Sequence, residues 1–315
     1  HAASFALLVY ASAWLKRYHP AVFACALLNS QPMGFYAPHT LVEDAKRQGV
    51  EVRGVDVQRS GWESTLEGGG WGRALRAGER PALRIGLGVI RGLPRATGEA
   101  VATARRERPF SSIADLGRRA ALSSAWLERL AMAGALRDLE GERRRALWKV
   151  LAVGPPSEGD LFAGITTEEP AACLPEASAS EEVAMDYATA SLSERAHPMA
   201  LIRPALAGRH IRTARELLRM PDRTAVEIGG LVIVRQRPET ANGIVFVSLE
   251  DETGIANLII MPDIHEQFRS LVHGASFLVA QGRVERVGQV VNVRVRSLAP
   301  LPSVRGAELP ARDFR

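Results

Sequence analysis

Val226-Glu-Ile-Gly-Gly-Leu-Val-Ile-Val, Ile244-Val-Phe-Val-Ser-Leu, Ile255-Ala-Asn-Leu-Ile-Ile-Met, Phe277-Leu-Val-Ala-Gln-Gly and Val290-Val-Asn-Val-Arg-Val are five runs rich in β-branched residues. Each has the composition and length of a strand, and a helical stretch from Ile264 to Leu271 falls between the third and the fourth. That order predicts an OB-fold, a small closed barrel with one helix. Gly229-Gly230 suits a bulge that lets the long first strand bend. In the fifth run Val291, Val293 and Val295 share one face and Asn292, Arg294 and Arg296 the other. One face fills the barrel; the other is free to bind.

Barrels of this kind hold single-stranded nucleic acid with basic side chains and aromatic stacking. The residues placed for that role are Arg235, Arg237, Phe246, Arg283, Arg294 and Arg296. Only Phe246, Phe268 and Phe277 are aromatic, and residues 222–303 carry 8 Lys and Arg against 9 Asp and Glu, so the affinity expected is modest. A barrel that mainly contacts protein stays open as a reading. Glu250-Asp251-Glu252-Thr-Gly, between the second and third runs, reads as a hairpin turn rather than a metal site.

Upstream, residues 81–150 hold the positive charge: 14 basic against 7 acidic residues, compared with 9 against 7 for 1–80 and 6 against 10 for 151–221. A local excess suits a phosphate-binding surface, because neutralising phosphates releases their counterions. The alternative is a solvated arginine face in a chain whose lysines are limited to Lys16, Lys46 and Lys149. Within this segment Ile85-Gly-Leu-Gly-Val-Ile-Arg-Gly-Leu-Pro-Arg-Ala-Thr-Gly resembles a helix-hairpin-helix DNA grip, with the hairpin at Gly92-Leu93-Pro94. Such a hairpin lets N–H groups at the start of the next helix approach a phosphate. Pro94 removes one donor, while Arg91 and Arg95 flank the turn; Arg91, Gly92, Leu93, Arg95 and Thr97 are the duplex-contact candidates. A second unit, from Pro109 to Leu136, has Ser123 or Ser124 placed as a cap, Leu127, Leu130 and Ala131 on one face, and Gly134 as the stop.

Residues 151–221 read as an acidic, Pro-rich linker containing a helix from about Glu181 to Leu192. His197, beside Pro198, reads as a turn residue rather than a catalytic base. At the other end, Ser4 to Trp14 is apolar on nearly every face, which calls for protein cover all round. Lys16, Arg17, His19 and Pro20 break the run short of the roughly 20 residues a membrane span needs. A helix from Thr40 closed by Gly49 and a short strand from Val50 to Val57 follow. Cys25 and Cys173 are too few and too far apart for a disulfide framework, which fits a reducing cytoplasm.

The opening stretch, with the following Pro20-Ala-Val-Phe-Ala-Cys-Ala-Leu-Leu-Asn-Ser-Gln-Pro-Met-Gly-Phe-Tyr, resembles the fingers of bacterial C-family DNA polymerases, nearest the error-prone branch. Ser193-Glu-Arg-Ala-His-Pro is a phrase of the same family. The resemblance implies a multidomain α + β chain: the end of an all-α fingers domain (1–80), a tandem helix-hairpin-helix region (81–150), the linker (151–221), the OB barrel (222–303) and a tail (304–315). It implies the carboxyl-terminal portion of a polymerase for damage-induced synthesis, with more protein expected before His1. It also implies Mg²⁺ in the intact enzyme, and damage-response accessory proteins and the sliding clamp as partners. Glu158-Gly-Asp160-Leu161-Phe162 looks like a degraded clamp peptide that lacks its opening Gln.

Polymerase chemistry needs carboxylates holding two Mg²⁺ ions about 4 Å apart. Asp44, Asp56 and Asp115 are isolated from one another in sequence, and the family's catalytic aspartates lie in an upstream palm with no counterpart in these residues. No catalytic or metal residue is therefore assigned, and no cofactor is expected in this segment itself. The competing reading is a stand-alone, non-enzymatic DNA-binding module.

Overall fold

The computed structural model describes residues 2–34, 36–68, 80–152, 174–301 and 312–314. They form two compact units, one made of residues 1–178 with 189–194 and the other of 179–188 with 195–315. The segments read above as 1–80 and 81–150 thus fall in one unit.

In the first unit α1 (Ala2–Tyr18), α2 (Pro20–Asn29) and α3 (Pro38–Arg47) lead into β1 (Val52–Arg53), β2 (Thr65–Glu67) and β3 (Ala82–Arg84). The strand expected over Val50–Val57 shrinks to two residues. The central β3 runs parallel to β1 (Val52 opposite Leu83) and antiparallel to β2 (Leu66 opposite Leu83). Ala21, Ala24 and Leu28 of α2, Val42 and Ala45 of α3, and Leu83 and Ile85 share one core. Gly49, with φ +80°, closes α3 as its position suggested. The apolar α1 packs on α2 but presents Phe5, Leu7, Leu8, Val9 and Tyr10 to the surface, each more than half exposed. The all-round cover expected of it is not supplied by the described residues.

The helical part comprises α4 (Arg95–Glu107), α5 (Ile113–Arg119), α6 (Ser124–Met132), α7 (Arg137–Glu140) and α8 (Arg143–Ala152). Leu87, Ile90, Leu93, Val101, Leu116, Leu127, Leu130 and Leu136 fill its centre. Three glycines of the Gly-rich stretch have a packing role. A Cβ on Gly86, Gly88 or Gly98 would come within 3.0 Å of Trp62 or its backbone, so this indole fixes the approach to the hairpin.

The second unit holds α9 (Ala179–Ala190) up to residue 188, α10 (Pro198–Ile202), β4 (Ile211–Arg212), α11 (Ala214–Leu217), and then the barrel strands β5 (Ala225–Gln236), β6 (Val245–Asp251), β7 (Gly254–Ile260), β8 (Phe277–Val287) and β9 (Val290–Pro300). Two short helices, α12 (Pro262–Gln267) and α13 (Arg269–Gly274), replace the single helix expected between β7 and β8, and β10 (Arg312–Phe314) pairs with β5. The barrel order is β5-β6-β7-β9-β8, closed by pairing of β8 with β5, with β7 and β9 parallel. This is an OB-like closed barrel. Leu249, Leu258, Leu278, Val293 and Val295 lie inside it.

The bulge expected at Gly229-Gly230 lies elsewhere. The β5–β6 register slips between Val232 and Val234, and β8–β9 slips between Gln281 and Gly282. The glycine pair instead permits close packing: a Cβ on Gly230 would lie 2.9 Å from the Glu250 carbonyl oxygen, and one on Gly229 3.0 Å from Leu301. Asp251 pairs with Gly254 across the β6–β7 turn, and its Oδ1 accepts from Thr253 N–H and Oγ1–H and from Gly254 N–H, the hairpin read from Glu250-Asp251-Glu252-Thr-Gly. His197 caps α10, its Nδ1 accepting from Met199 N–H at 3.1 Å.

Candidate nucleic-acid interface

Two hairpins in the helical unit repeat one local design. Gly92 has φ +71°, Leu93 is buried, and Pro94 is the N-cap of α4. Ala121 has φ +50°, Leu122 is buried, and Ser123 is the N-cap of α6. In both, a left-handed residue turns the chain, a leucine anchors the turn in the core, and the next helix starts at the surface.

Neither start is capped by a side chain. Ser123 sits where a cap was expected but makes no cap hydrogen bond. By contrast Ser112 caps α5, accepting from Asp115 N–H. The carbonyls of Pro94 and Ser123 accept from Thr97 and Gly98 and from Trp126 and Leu127. Arg95, Ala96, Ser124 and Ala125 are exposed, and their N–H groups are among the first of each helix, which have no intrahelical acceptor. Paired exposed donors at the positive end of a helix dipole suit an oxyanion such as phosphate.

The sequence candidates now separate by role. Leu93 is core, 6% exposed, and is corrected from contact residue to anchor. Gly92 forms the turn. Thr97 is half-buried in the first turn of α4. Arg95 is exposed and pairs with Glu99 one turn on, at 2.7 Å. Arg91 donates through Nε to Ser191 Oγ at 2.7 Å, and its two Nη groups have no described partner. Sequence reasoning missed Arg129: its guanidinium donates to the Arg91 carbonyl and lies 6.0 Å from the Trp126 ring centroid. A Cβ on Gly92 would meet Arg129 Nη1 at 2.8 Å, so that glycine also makes room for a strut between the hairpins.

The positive excess of residues 81–150 is partly structural. Arg108 and Arg119 both bond the buried Asp115, as does the Ser111 N–H. Burial alone would raise this carboxyl, but the Ser111 N–H and the two guanidinium groups outweigh it and hold it well below the usual carboxylate range. Arg105 donates to the carbonyls of Val57 and Ser60, and Arg84 to Glu67 and the Gly54 carbonyl.

On the barrel, register places Phe246 opposite Ile259, Ile259 opposite Arg294, and Arg294 opposite Arg283. This row crosses β6, β7, β9 and β8 on the outer face. Beside it run Ser248, Asn257 and Asn292. Arg283, Arg294 and Arg296 are exposed and Phe246 is half-buried. Two arginines directly opposite repel each other unless an anion bridges them. Arg237 is exposed just beyond β5, off this row. Arg235 is a correction: it is 7% exposed and donates to the carbonyls of Val272 and Ala275, so it supports α13 and is unavailable to a ligand. Phe277 is buried, leaving Phe246 as the aromatic of this face. Asp160, Leu161 and Phe162 lie outside the described residues.

Residues 49–146 match the family model for the helix-hairpin-helix motif. The whole chain is 68% identical over 314 residues to an error-prone DNA polymerase of Anaeromyxobacter dehalogenans (strain 2CP-C), covering 28% of that protein. The chain is a homologue of part of an error-prone DNA polymerase. It is 48% identical to the error-prone DNA polymerase of Azoarcus sp. (strain BH72) and 44% to that of Pseudomonas aeruginosa, again over 100% of this chain and 29% and 30% of theirs. The chain thus spans less than a third of the length of the curated relatives it matches. Among solved structures, an asparaginyl-tRNA synthetase from Pyrococcus horikoshii aligns with 30% of this chain and 23% of its own at 19% identity and TM-score 0.26, too slight a likeness to carry an argument.

Among the described residues no three His, Cys, Asp or Glu side chains come together as a metal site. No described helix is long and apolar enough to cross a membrane.

Proposed function

We propose that this segment is the carboxyl-terminal, DNA-holding part of an error-prone DNA polymerase that acts in damage-induced translesion synthesis and repair in the cytoplasm. The observation that carries the reading is the pair of uncapped helix starts behind left-handed hairpin residues, within the stretch matched by the helix-hairpin-helix model. The hairpins take backbone phosphates of duplex DNA, with Arg91 and Arg95 adding charge. The barrel row from Phe246 to Arg283 takes single-stranded template by stacking and charge. Mg²⁺ and the catalytic carboxylates belong to the rest of the polymerase. Accessory proteins and the sliding clamp are the protein partners of this reading, with Asp160-Leu161-Phe162 as the clamp contact.

The test is binding by the 315-residue chain. Replacing Arg91 and Arg95 together by Ala lowers duplex affinity and flattens the dependence of log K on log salt by about 2, one phosphate contact per arginine. An unchanged slope removes the hairpin from the interface. Phe246→Ala with Arg294→Ala weakens single-strand binding more than duplex binding; equal loss on both argues against a dedicated barrel face. Primer extension with Mg²⁺ decides between a polymerase segment and a self-sufficient enzyme: incorporation by these residues alone would overturn the assignment of catalysis elsewhere.

A further inference from the structure

Residues 189–194 cross the first unit as a strap. Ala190 and Leu192 are buried in the core shared by α2, α3, Leu83 and Ile85. Lys46 Nζ donates to the Ser193 carbonyl at 2.7 Å, and Arg137 pairs with Glu194 at 3.1 Å. Gly54 leaves the space that Glu194 needs, since a Cβ there would stand 2.9 Å from its carboxylate. Between the buried Ala190 and Leu192, Ser191 has φ +60°. That conformation is uncommon for a residue with a Cβ and persists where the surroundings hold it.

Arg91 of the first hairpin is fixed at three points, two of them on this strap. Its N–H donates to the Thr189 carbonyl at 2.8 Å, its Nε donates to Ser191 Oγ at 2.7 Å, and its carbonyl accepts from Arg129. The residue is nonetheless exposed. A guanidinium carries five N–H donors, so a bond at Nε sets its plane and leaves the four Nη donors for an anion. Arg95, on the other side of the turn, is committed differently: its Nε donates to Glu99 at 2.7 Å, and that carboxylate offsets its charge. An unfixed arginine gives up rotamer freedom when it grips a phosphate. One already fixed has less to give up, so the same contact binds more tightly.

We propose that Ser191 is a positioning residue for Arg91, holding Nε so that the two Nη groups meet a duplex phosphate as a preset fork. The inference rests on the hairpin reading above. It adds that the grip of the first hairpin is set by a residue 100 positions further along the chain.

The experiment measures binding of a fluorescein-labelled DNA duplex to the 315-residue chain by anisotropy across a salt series. The variants are Arg91→Ala, Ser191→Ala, Ser191→Gly, and Arg91→Ala with Ser191→Ala. Arg91→Ala reads the hairpin itself: affinity falls, and the slope of log K on log salt flattens by about 1, one phosphate contact. Ser191→Ala and Ser191→Gly both remove the hydroxyl and are expected to weaken binding by one common factor, about 3- to 10-fold, the cost of immobilising one long side chain. Their melting temperatures should differ, because glycine relieves the left-handed backbone and alanine does not. In the Arg91→Ala background, Ser191→Ala should cost nothing further. Binding that follows melting temperature, near the parent's for the glycine variant and weak for the alanine one, would make Ser191 merely structural and overturn the proposal. So would an equal loss from Ser191→Ala with and without Arg91, or Ser191 variants that bind as the parent does while Arg91→Ala is weak. Unchanged binding by Arg91→Ala is a separate failure: it removes the hairpin contact itself, and the positioning role falls with it.

Discussion

At the scale of single residues, sign and burial decide what a side chain can do. Asp56 is 5% exposed and shares its surroundings with Asp138. Burial pushes its carboxyl up to about 6, the Gln58 N–H works against that, and Asp138 adds to it. The folded protein then holds this proton more tightly than the unfolded chain, whose Asp titrates near 3.9. The resulting stability is complete below about pH 4 and is lost as pH rises through 6. Asp115, depressed by its partners, works the other way: its stabilisation is complete above about pH 4 and is lost as pH falls below that. Asp56→Asn keeps an acceptor for Gln58 and removes the charge. It should raise stability at pH 8 by about 1–2 kcal/mol and abolish most of the difference between pH 5 and pH 8 in urea melts. A variant that keeps the full pH 5 to pH 8 difference would clear Asp56 of that role. The same scale shows why some site residues were legible and others not. Arg294 and Arg296 alternate with buried valines and stand outside as read. Arg235 follows the slip at Val232–Val234, which breaks the alternation of β5 and turns a basic residue inward. A one-residue bulge leaves no mark in composition.

At the scale of elements, the hairpins join sequence to site. The first was readable because Gly92 marks a left-handed turn. The second was readable only as a unit, since Ala121 occupies the same conformation without the residue type that signals it. Non-glycine residues in this region carry a cost of roughly 1 kcal/mol or more. Ala121→Gly should therefore leave the fold intact and stabilise it by up to about 1 kcal/mol. Gly92→Ala should destabilise by about 1–2 kcal/mol, through the backbone and through displacement of Arg129. Thermal melts of the two variants measure this directly, and shifts of the same sign would show that the hairpins are not equivalent in geometry. Arg129 itself was invisible in sequence because it reaches the first hairpin from the second, 38 residues away. Strand order was legible because five β-rich runs with a helix in fourth place fit few architectures. The split of that helix into α12 and α13 was not, since no Gly or Pro separates Gln267 from Arg269.

At the scale of the whole chain, charge and apolar surface are distributed for different tasks. Arginines of residues 81–150 divide between internal struts, such as Arg105 and Arg119, and exposed groups near the hairpins, so net charge alone overstates the binding surface. The apolar surface is concentrated on α1, where Leu7 is 71% and Tyr10 70% exposed, and neither belongs to a core cluster of the described residues. A contiguous exposed patch of this kind drives association in water. The 315-residue chain should therefore self-associate at micromolar concentration, and Leu7→Glu with Tyr10→Lys should return it to monomer in sedimentation velocity. Because those side chains contribute little to the packed interior, the melting temperature should move by no more than about 2 °C, within the range of ordinary surface substitutions. A large fall in melting temperature would place α1 inside the cooperative fold. Self-association that survives both charges would shift the sticky surface to another element, and the exposed Val287 and Val290 at the β8–β9 turn are the next place to put a charge.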